Sequence, residues 1–236
     1  MPATKKIATK KLGRKIAPTE KPVLPGEEET HVVQAYTQIE EMIATLKLPP
    51  SQVVSENMLA TMIGLGRTPV REALQQLARE GLVVIMPRRG IVVADIDVRK
   101  QLRLLEVRRC VERCIVGLAA RRANDEERGR FLAIAGEMEA KRNDGKAFLV
   151  LDGCLNQLLL DAARNEFAVS SMKIMQGMSR RFWFAHYERA ANLSETVKLH
   201  AAIARAVAKG SEKEAVKALD ALMENVEAFT RATLDS

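Results

Sequence analysis

Aromatic residues, cysteine and histidine are scarce in this chain of 236 residues: two Tyr, one Trp and six Phe make up 4% of it, beside three Cys and three His. With so few aromatics and abundant Ala, Leu and Met, the composition favours packed helices. Cys110, Cys114 and Cys154 are an odd set without metal-finger spacing, which argues against a disulfide framework and for a reducing compartment. Cys110 and Cys114 share a helical face; the alternatives are a thiol switch and small core residues, and core residues are the expectation. His31, His186 and His200 stand in no recognised catalytic setting. The chain also lacks a Ser-His-Asp order with an elbow, a phosphate-binding glycine loop and a cysteine-rich metal site, so no enzyme is expected. No apolar run reaches bilayer length and no secretory signal is present, so a soluble protein of the cytoplasm, on the nucleoid and without a membrane partner, is expected.

The chain is long enough for two domains with cores of their own, and 47% hydrophobic residues exclude wholesale disorder. A net charge of +7 and a pI near 9.4 make a polyanionic partner plausible. Lys5, Lys6, Lys10, Lys11, Arg14 and Lys15 all precede the first acidic residue, Glu20. Residues 1–30 therefore read as a disordered basic arm, either a nonspecific DNA tether or a solubilising tail.

Residues 55–94 carry the most specific pattern. The first helix of the pattern, about Glu56 to Ile63, places Leu59, Met62 and Ile63 on one face, and Gly64 and Gly66 let the chain reverse. A second helix follows, with Gly66 or Thr68 as N-cap and Pro69 in its first turn, where a missing N–H costs nothing. Val70, Ala73, Leu74 and Leu77 recur at helical spacing and face a core, which leaves Arg67, Thr68, Arg71 and Gln75 outward. After Gly81, Leu82–Met86 and Ile91–Ala94 read as paired strands joined by the basic tip Pro87-Arg88-Arg89-Gly90. Two short helices and a β-ribbon of this kind make a winged helix-turn-helix. The outward Arg67 and Arg71, four residues apart, suit a major groove, where an Arg fork on guanine gives roughly 1–3 kcal/mol of discrimination. Arg88, Arg89 and Gly90 suit an adjoining groove or phosphates. An earlier helix, His31 to Leu46, with Val33, Tyr36, Ile39, Ile43 and Leu46 on one side, braces the pair and ends at Pro49-Pro50.

Leu48-Pro49-Pro50, Ser55-Glu56, Leu59-Ala60, Gly64, Arg67 through Leu74, Leu77, Glu80-Gly81-Leu82-Val83 and Arg89-Gly90 resemble, without a gap over residues 31–94, the N-terminal domain of GntR-type bacterial transcription regulators. Two positions depart from that pattern: Gly66 stands where the family tends to have Ser, and Asn57 where it often has an Arg that contacts DNA.

Beyond Ala94 the strand signals stop. Helical patterns run over about Val98–Ala123, Asp125–Arg142, Gly145–Ala163, Phe167–Arg189, Ser194–Lys209 and Glu212–Leu234, with Leu102, Leu105, Val111, Ile115 and Leu118 inward on the first. Six helices with short breaks make an antiparallel bundle, so the fold class is mainly α: a winged helix-turn-helix (31–94), then an all-α six-helix bundle (97–234). Glu106-Val107-Arg108 with Ala119-Ala120, the run Asp152 to Asn165, and His200 with Ile203, Ala206-Val207 and Gly210 resemble the FCD ligand-sensing domain of the FadR subfamily. The number of helices resembles its VanR-like branch.

The resemblance implies a site at the bundle centre, where an Asp, a His four residues on and two later His commonly hold a divalent metal. The matching positions here are Asp152, Asn156, His200 and Asn225. Two imidazoles are replaced by amides, which are poor ligands, so Asp152 and His200 alone remain and metal is expected to be weakly held or absent, with no cofactor required. A polar pocket remains, because buried amides and an imidazole want partners that a small ligand supplies. Arg108 matches a family arginine; its choices are a ligand carboxylate or an ion pair with Glu106 or Glu112, with the ion pair slightly favoured. Phe182, Trp183, Phe184 and His186 form the one aromatic cluster, for which core or dimer packing is the default. The expected protein is a homodimeric regulator that binds a double-stranded DNA operator and answers to a small, carboxylate-containing effector; the competing reading is an effector-independent architectural DNA binder whose helical half only dimerises.

Overall fold

A computed structural model describes residues 27–87, 90–186 and 193–234, with side chains from His31 onward. Helix α1 (Glu27–Ala44) leads into a two-residue strand β1 (Val53–Val54), and α2 (Glu56–Ile63) and α3 (Arg67–Arg79) follow. The wing strands are β2 (Val83–Met86) and β3 (Gly90–Val93). The second half is helical throughout: α4 (Val98–Arg122), α5 (Asp125–Ala140), α6 (Gly145–Ala163), α7 (Glu166–His186), α8 (Leu193–Lys209) and α9 (Glu212–Ala232). Two separate cores result, one under α1–α3 and the wing, the other inside α4–α9.

The N-terminal half folds as its local signals dictate. Ser55 caps α2 by accepting from the Met58 N–H, and Gly64 ends it at φ 70°, a left-handed conformation that a side chain would strain. Gly66 is the N-cap of α3 with φ −66°, so glycine is not required there by the backbone, and the helix starts without a side-chain cap. Val70, Ala73, Leu74 and Leu77 are all buried. Burying a Leu or Val side chain is worth about 1.5–3 kcal/mol, which is why this stripe fixes how α3 lies.

Several expectations need correcting. The arm expected over 1–30 lies outside the described residues as far as 26, but its last four residues are helical: a glutamate run forms helix well, a property that a search for an apolar stripe does not register. The stripe of α1 is Ala35, Ile39 and Ile43; Val33 is 57% exposed, and Leu46 lies past the helix in a turn at φ 58°. Met62 is 51% exposed, because α2 has only Leu59 fully inside. Strand β1 was not anticipated. It pairs with β3 (Val53 with Val92, Val54 with Ile91), giving a sheet of order β1-β3-β2, and two residues are too few to show a period. Cys110, Cys114 and Cys154 are all exposed, so none fills the core. On α4, Gln101 and Leu105 are buried and Leu102 is only half so. The wing tip residues Arg88 and Arg89, and the part of the fourth bundle helix expected beyond His186, lie outside the described residues.

The bundle boundaries otherwise follow punctuation. Asn124 and Glu127 form a capping box at α5, and Asp97, Asp144 and Ser211 cap α4, α6 and α9. The two halves meet along α7. Arg180 donates to Glu40 (2.6 Å) and Glu41 (2.5 Å) of α1, and the neighbouring Arg181 donates to the Ala94 carbonyl at the end of the wing. Gly177 makes that approach possible, since a Cβ there would lie 2.8 Å from Leu82 Cδ1 and 3.3 Å from a Glu40 carboxylate oxygen.

Candidate functional site

Two regions carry chemistry. On α3, Arg67, Thr68, Arg71 and Gln75 are exposed together while the opposite face is buried. Arg71 is already oriented: Nε and Nη2 each donate to a Glu56 carboxylate oxygen at 2.8 Å, a fork that holds the guanidinium over the α2–α3 turn. The pair is well exposed, and such pairs are worth about 0–1 kcal/mol, so breaking it to reach a base is inexpensive. Gly90 opens β3 at φ 94°, against Val54.

The second region is a cavity of about 60 Å³ inside the bundle, lined by polar Arg108, Asp152, Asn156, Arg180 and His200 and walled by apolar groups such as Phe148 and Trp183. Helices α4, α6, α7 and α8 each supply one or more of the polar groups. As it stands, the space suits a few water-sized groups. His200 Nδ1 lies 2.7 Å from the Thr196 carbonyl and so carries a proton that it donates there. Its Nε2 lies 3.2 Å from Asp152 Oδ1, close enough for ionic attraction but not aligned as a hydrogen bond, so the buried Oδ1 has no well-directed donor. Burial pushes the His200 pKa down, but Asp152 and the Thr196 carbonyl outweigh it and leave it raised. Burial likewise pushes Asp152 up, and His200, then Arg108 and Arg180, bring it below the usual carboxylate value. The pair therefore favours an imidazolium facing a carboxylate.

Arg108 has the ion-pair partner that was slightly favoured: Nε and Nη2 donate to Glu112 Oε1 at 3.0 and 2.8 Å, and Glu112 Oε2 is buried without a donor. Asn156 lines the cavity with Asp152 and His200. Asn225 is not among the lining residues; its Oδ1 accepts from Thr196 Oγ1 at 3.3 Å. Three of the four matching positions thus line the cavity, and the fourth is bonded to Thr196 in its wall. Among the described residues no group of three or more His, Cys, Asp or Glu side chains is placed to hold a metal ion, and one carboxylate with one imidazole is fewer protein ligands than the three or four of a zinc site. Of the aromatic cluster, Phe182 is buried and stacks on His186 at 4.5 Å, while Trp183 packs on Phe148 at 5.2 Å beside the cavity.

Sequence reasoning missed Arg180, which lines the cavity and reaches α1. An arginine in the middle of a bundle helix was the only signal available.

A helix with an exposed arginine face on a winged core, joined to a helical bundle with a polar cavity, is the architecture of DNA-binding transcription regulators. Comparisons with known proteins agree. Residues 32–93 match the family of bacterial regulatory proteins known as gntR, and residues 103–225 match the FCD domain. An HTH-type regulator from an unstable DNA locus of Streptomyces ambofaciens is 47% identical over 62 residues, 26% of each chain. LutR of Bacillus subtilis, an HTH-type transcriptional regulator, is 25% identical over 201 residues, covering 76% of this chain and 91% of LutR. Over the first two of the curated relatives the chain spans only 26% and 39% of their length. The solved structure of E. coli McbR/YncC shares the fold, with a TM-score of 0.73 and 16% identity over 86% of this chain and 98% of that one. The chain belongs to the GntR family of bacterial transcription regulators, in its FadR-like group with an FCD domain. No helix among the described residues is long and apolar enough to cross a membrane.

Proposed function

We propose that this regulator is a cytoplasmic homodimer that reads a two-fold operator with Arg67, Thr68, Arg71 and Gln75, aided by Arg88, Arg89 and Gly90 of the wing, and that a small carboxylate in the bundle cavity changes its operator affinity. The observation that carries the effector reading is the set of cationic groups from three different helices, Arg108, Arg180 and His200, around one apolar-walled cavity. Each of these cations already faces a carboxylate, Arg108 with Glu112, Arg180 with Glu40 and Glu41, and His200 with Asp152, so an anionic ligand competes for them. The buried Asp152 Oδ1, which lacks a well-directed donor, favours a carboxylate that also brings a hydroxyl or amino donor. The ligand is held by hydrogen bonds and charge, with no metal required.

Two identical reading heads explain why a dimer is favoured: a symmetric pair binds half-sites about one helical turn apart. A thermal-shift screen of small hydroxy and amino carboxylates tests the sensor, because a ligand at ~100 times its dissociation constant stabilises by roughly 2.7 kcal/mol. A hit that also alters operator retention supports the reading. Indifference to every carboxylate, with operator binding intact, would favour an architectural DNA binder.

A further inference from the structure

One residue of α7 lies between the bundle cavity and helix α1 of the winged-helix half. Arg180 lines the bundle cavity together with Asp152, Trp183 and His200, and its guanidinium is held from the other side by Glu40 and Glu41 of α1. Glu40 is 6% exposed, so Arg180 is the cation that makes its burial tolerable. One residue away, Ile39 lies at the centre of the winged-helix core, where α1 packs against α3. A physical chain thus runs from cavity to Arg180, to α1, to the recognition helix. Gln176, Gly177 and Arg180 also border a larger cleft of about 740 Å³ between α1 and helices α6 and α7, so α1 has open space beside it into which it can shift.

We propose that Arg180 is the coupling residue: an anion bound in the cavity draws its guanidinium away from Glu40 and Glu41, and α1, with α3 behind it, loosens from α7. This rests on the reading of the cavity as a carboxylate site. The guanidinium has five N–H donors in one planar fork, and it cannot turn fully to an anion on one side while keeping short bonds to two carboxylates on the other. Once it turns, Glu40 is left buried beside Gly177 with its cation withdrawn, and that loss destabilises the docked arrangement. A ligand shifts a conformation only by the difference in its affinity for the two states, and the competition for one arginine supplies that difference. Linkage then requires the reverse effect: weakening the glutamate hold must tighten anion binding.

Trp183, the one tryptophan of the chain, lies on the cavity wall and reports binding by its fluorescence. The test titrates the full chain with acetate, malonate and succinate, and with acetamide as the uncharged control, while amide hydrogen exchange is read over residues 31–44. Three proteins are compared: wild type, Glu40→Gln with Glu41→Gln, and Arg180→Gln. In the wild type a carboxylate that changes Trp183 emission should speed exchange in α1, and acetamide should do neither. The double glutamine variant keeps the cavity intact, so it should bind the same carboxylate about tenfold tighter, equivalent to ~1.4 kcal/mol, with α1 exchange already fast and no longer responsive. Arg180→Gln should show fast α1 exchange with no ligand and weakened binding. Adding Glu40→Gln to Arg180→Gln removes the stranded charge and should restore slow exchange, a rescue that simple misfolding would not give. Unchanged carboxylate affinity in the double glutamine variant, or α1 exchange that stays slow in Arg180→Gln, overturns the coupling role even if carboxylates bind. If no carboxylate moves Trp183 in any protein, the carboxylate reading of the cavity fails and the ligand half of the proposal with it, whereas the clamp is still decided by α1 exchange in Arg180→Gln.

Discussion

The exposed face of α3 and the bundle cavity both carry arginine, and they hold it in opposite ways. Arg67 and Arg71 stand exposed on one helix, and the two hydrogen bonds that hold Arg71 to Glu56 form a surface fork of small net worth. Arg108 and Arg180 lie part-buried, each committed to carboxylates: Glu112 on the same helix for one, Glu40 and Glu41 from the other half of the molecule for the other. A solvated arginine is free to find a new partner, which suits the reading role proposed for Arg67 and Arg71. A desolvated one gives up a partner only when another replaces it, which suits a group that must respond to a ligand and stay quiet without one.

The sharpest way to break this comparison is to remove the readers. Arg67→Ala with Arg71→Ala should abolish operator selectivity, each contributing about 1–3 kcal/mol of base discrimination, while the melting temperature hardly moves because neither side chain belongs to the core. Footprinting beside a thermal melt checks both halves of that statement. Operator footprints unchanged in the double variant would remove α3 from the role of reader.

A smaller effect is expected at the cavity, where the change should appear in stability and its dependence on pH. Asp152 has a lowered pKa, so its contribution is present above the ordinary carboxylate value and is lost as pH falls through the lowered one. His200 has a raised pKa, so its contribution is complete below the ordinary imidazole value and is lost as pH rises through the raised one. The pair therefore stabilises most between those limits. Asp152→Asn should cost about 1–2 kcal/mol in that window and progressively less on either side, measured by denaturant unfolding across pH. A cost that does not vary with pH would mean that the imidazole is neutral and the pair not ionic.

The smallest effect tests how little the reading helix relies on its surroundings. Gly66 caps α3 without a side-chain hydrogen bond, and a Cβ there would meet only Pro69 at an ordinary 3.6 Å. Gly66→Ser, which also restores the residue usual in the family pattern, should stabilise the protein by a few tenths of a kcal/mol, read as a small rise in melting temperature with the operator sequence unchanged. A fall would show that the serine side chain cannot reach the first-turn amides.

Much of this was legible in the chain because its signals are local. The stripe Val70, Ala73, Leu74 and Leu77 sets one face of α3 inward, so Arg67, Thr68, Arg71 and Gln75 follow by exclusion. Asn124, Asp144 and Ser211 mark helix starts through side chains that act within three residues. Exposure was less legible. Met62, Val33 and the cysteines have apolar or small side chains whose burial depends on whether another element arrives to cover them, and none does fully.

By itself, then, the sequence determined the helices, the winged helix-turn-helix and the outward arginine face of α3, since helical period, caps and turn glycines act over a few residues. Tertiary structure decided the partners of the buried charges. Asp152 meets His200 across two helices, Asn225 bonds to Thr196 on the neighbouring helix, and Arg180 finds Glu40, 140 positions earlier in the chain. The physical reason is that a buried charge is held by whatever oxygen or nitrogen packing brings within about 3 Å, and packing is settled by how whole helices cross, which no local period records.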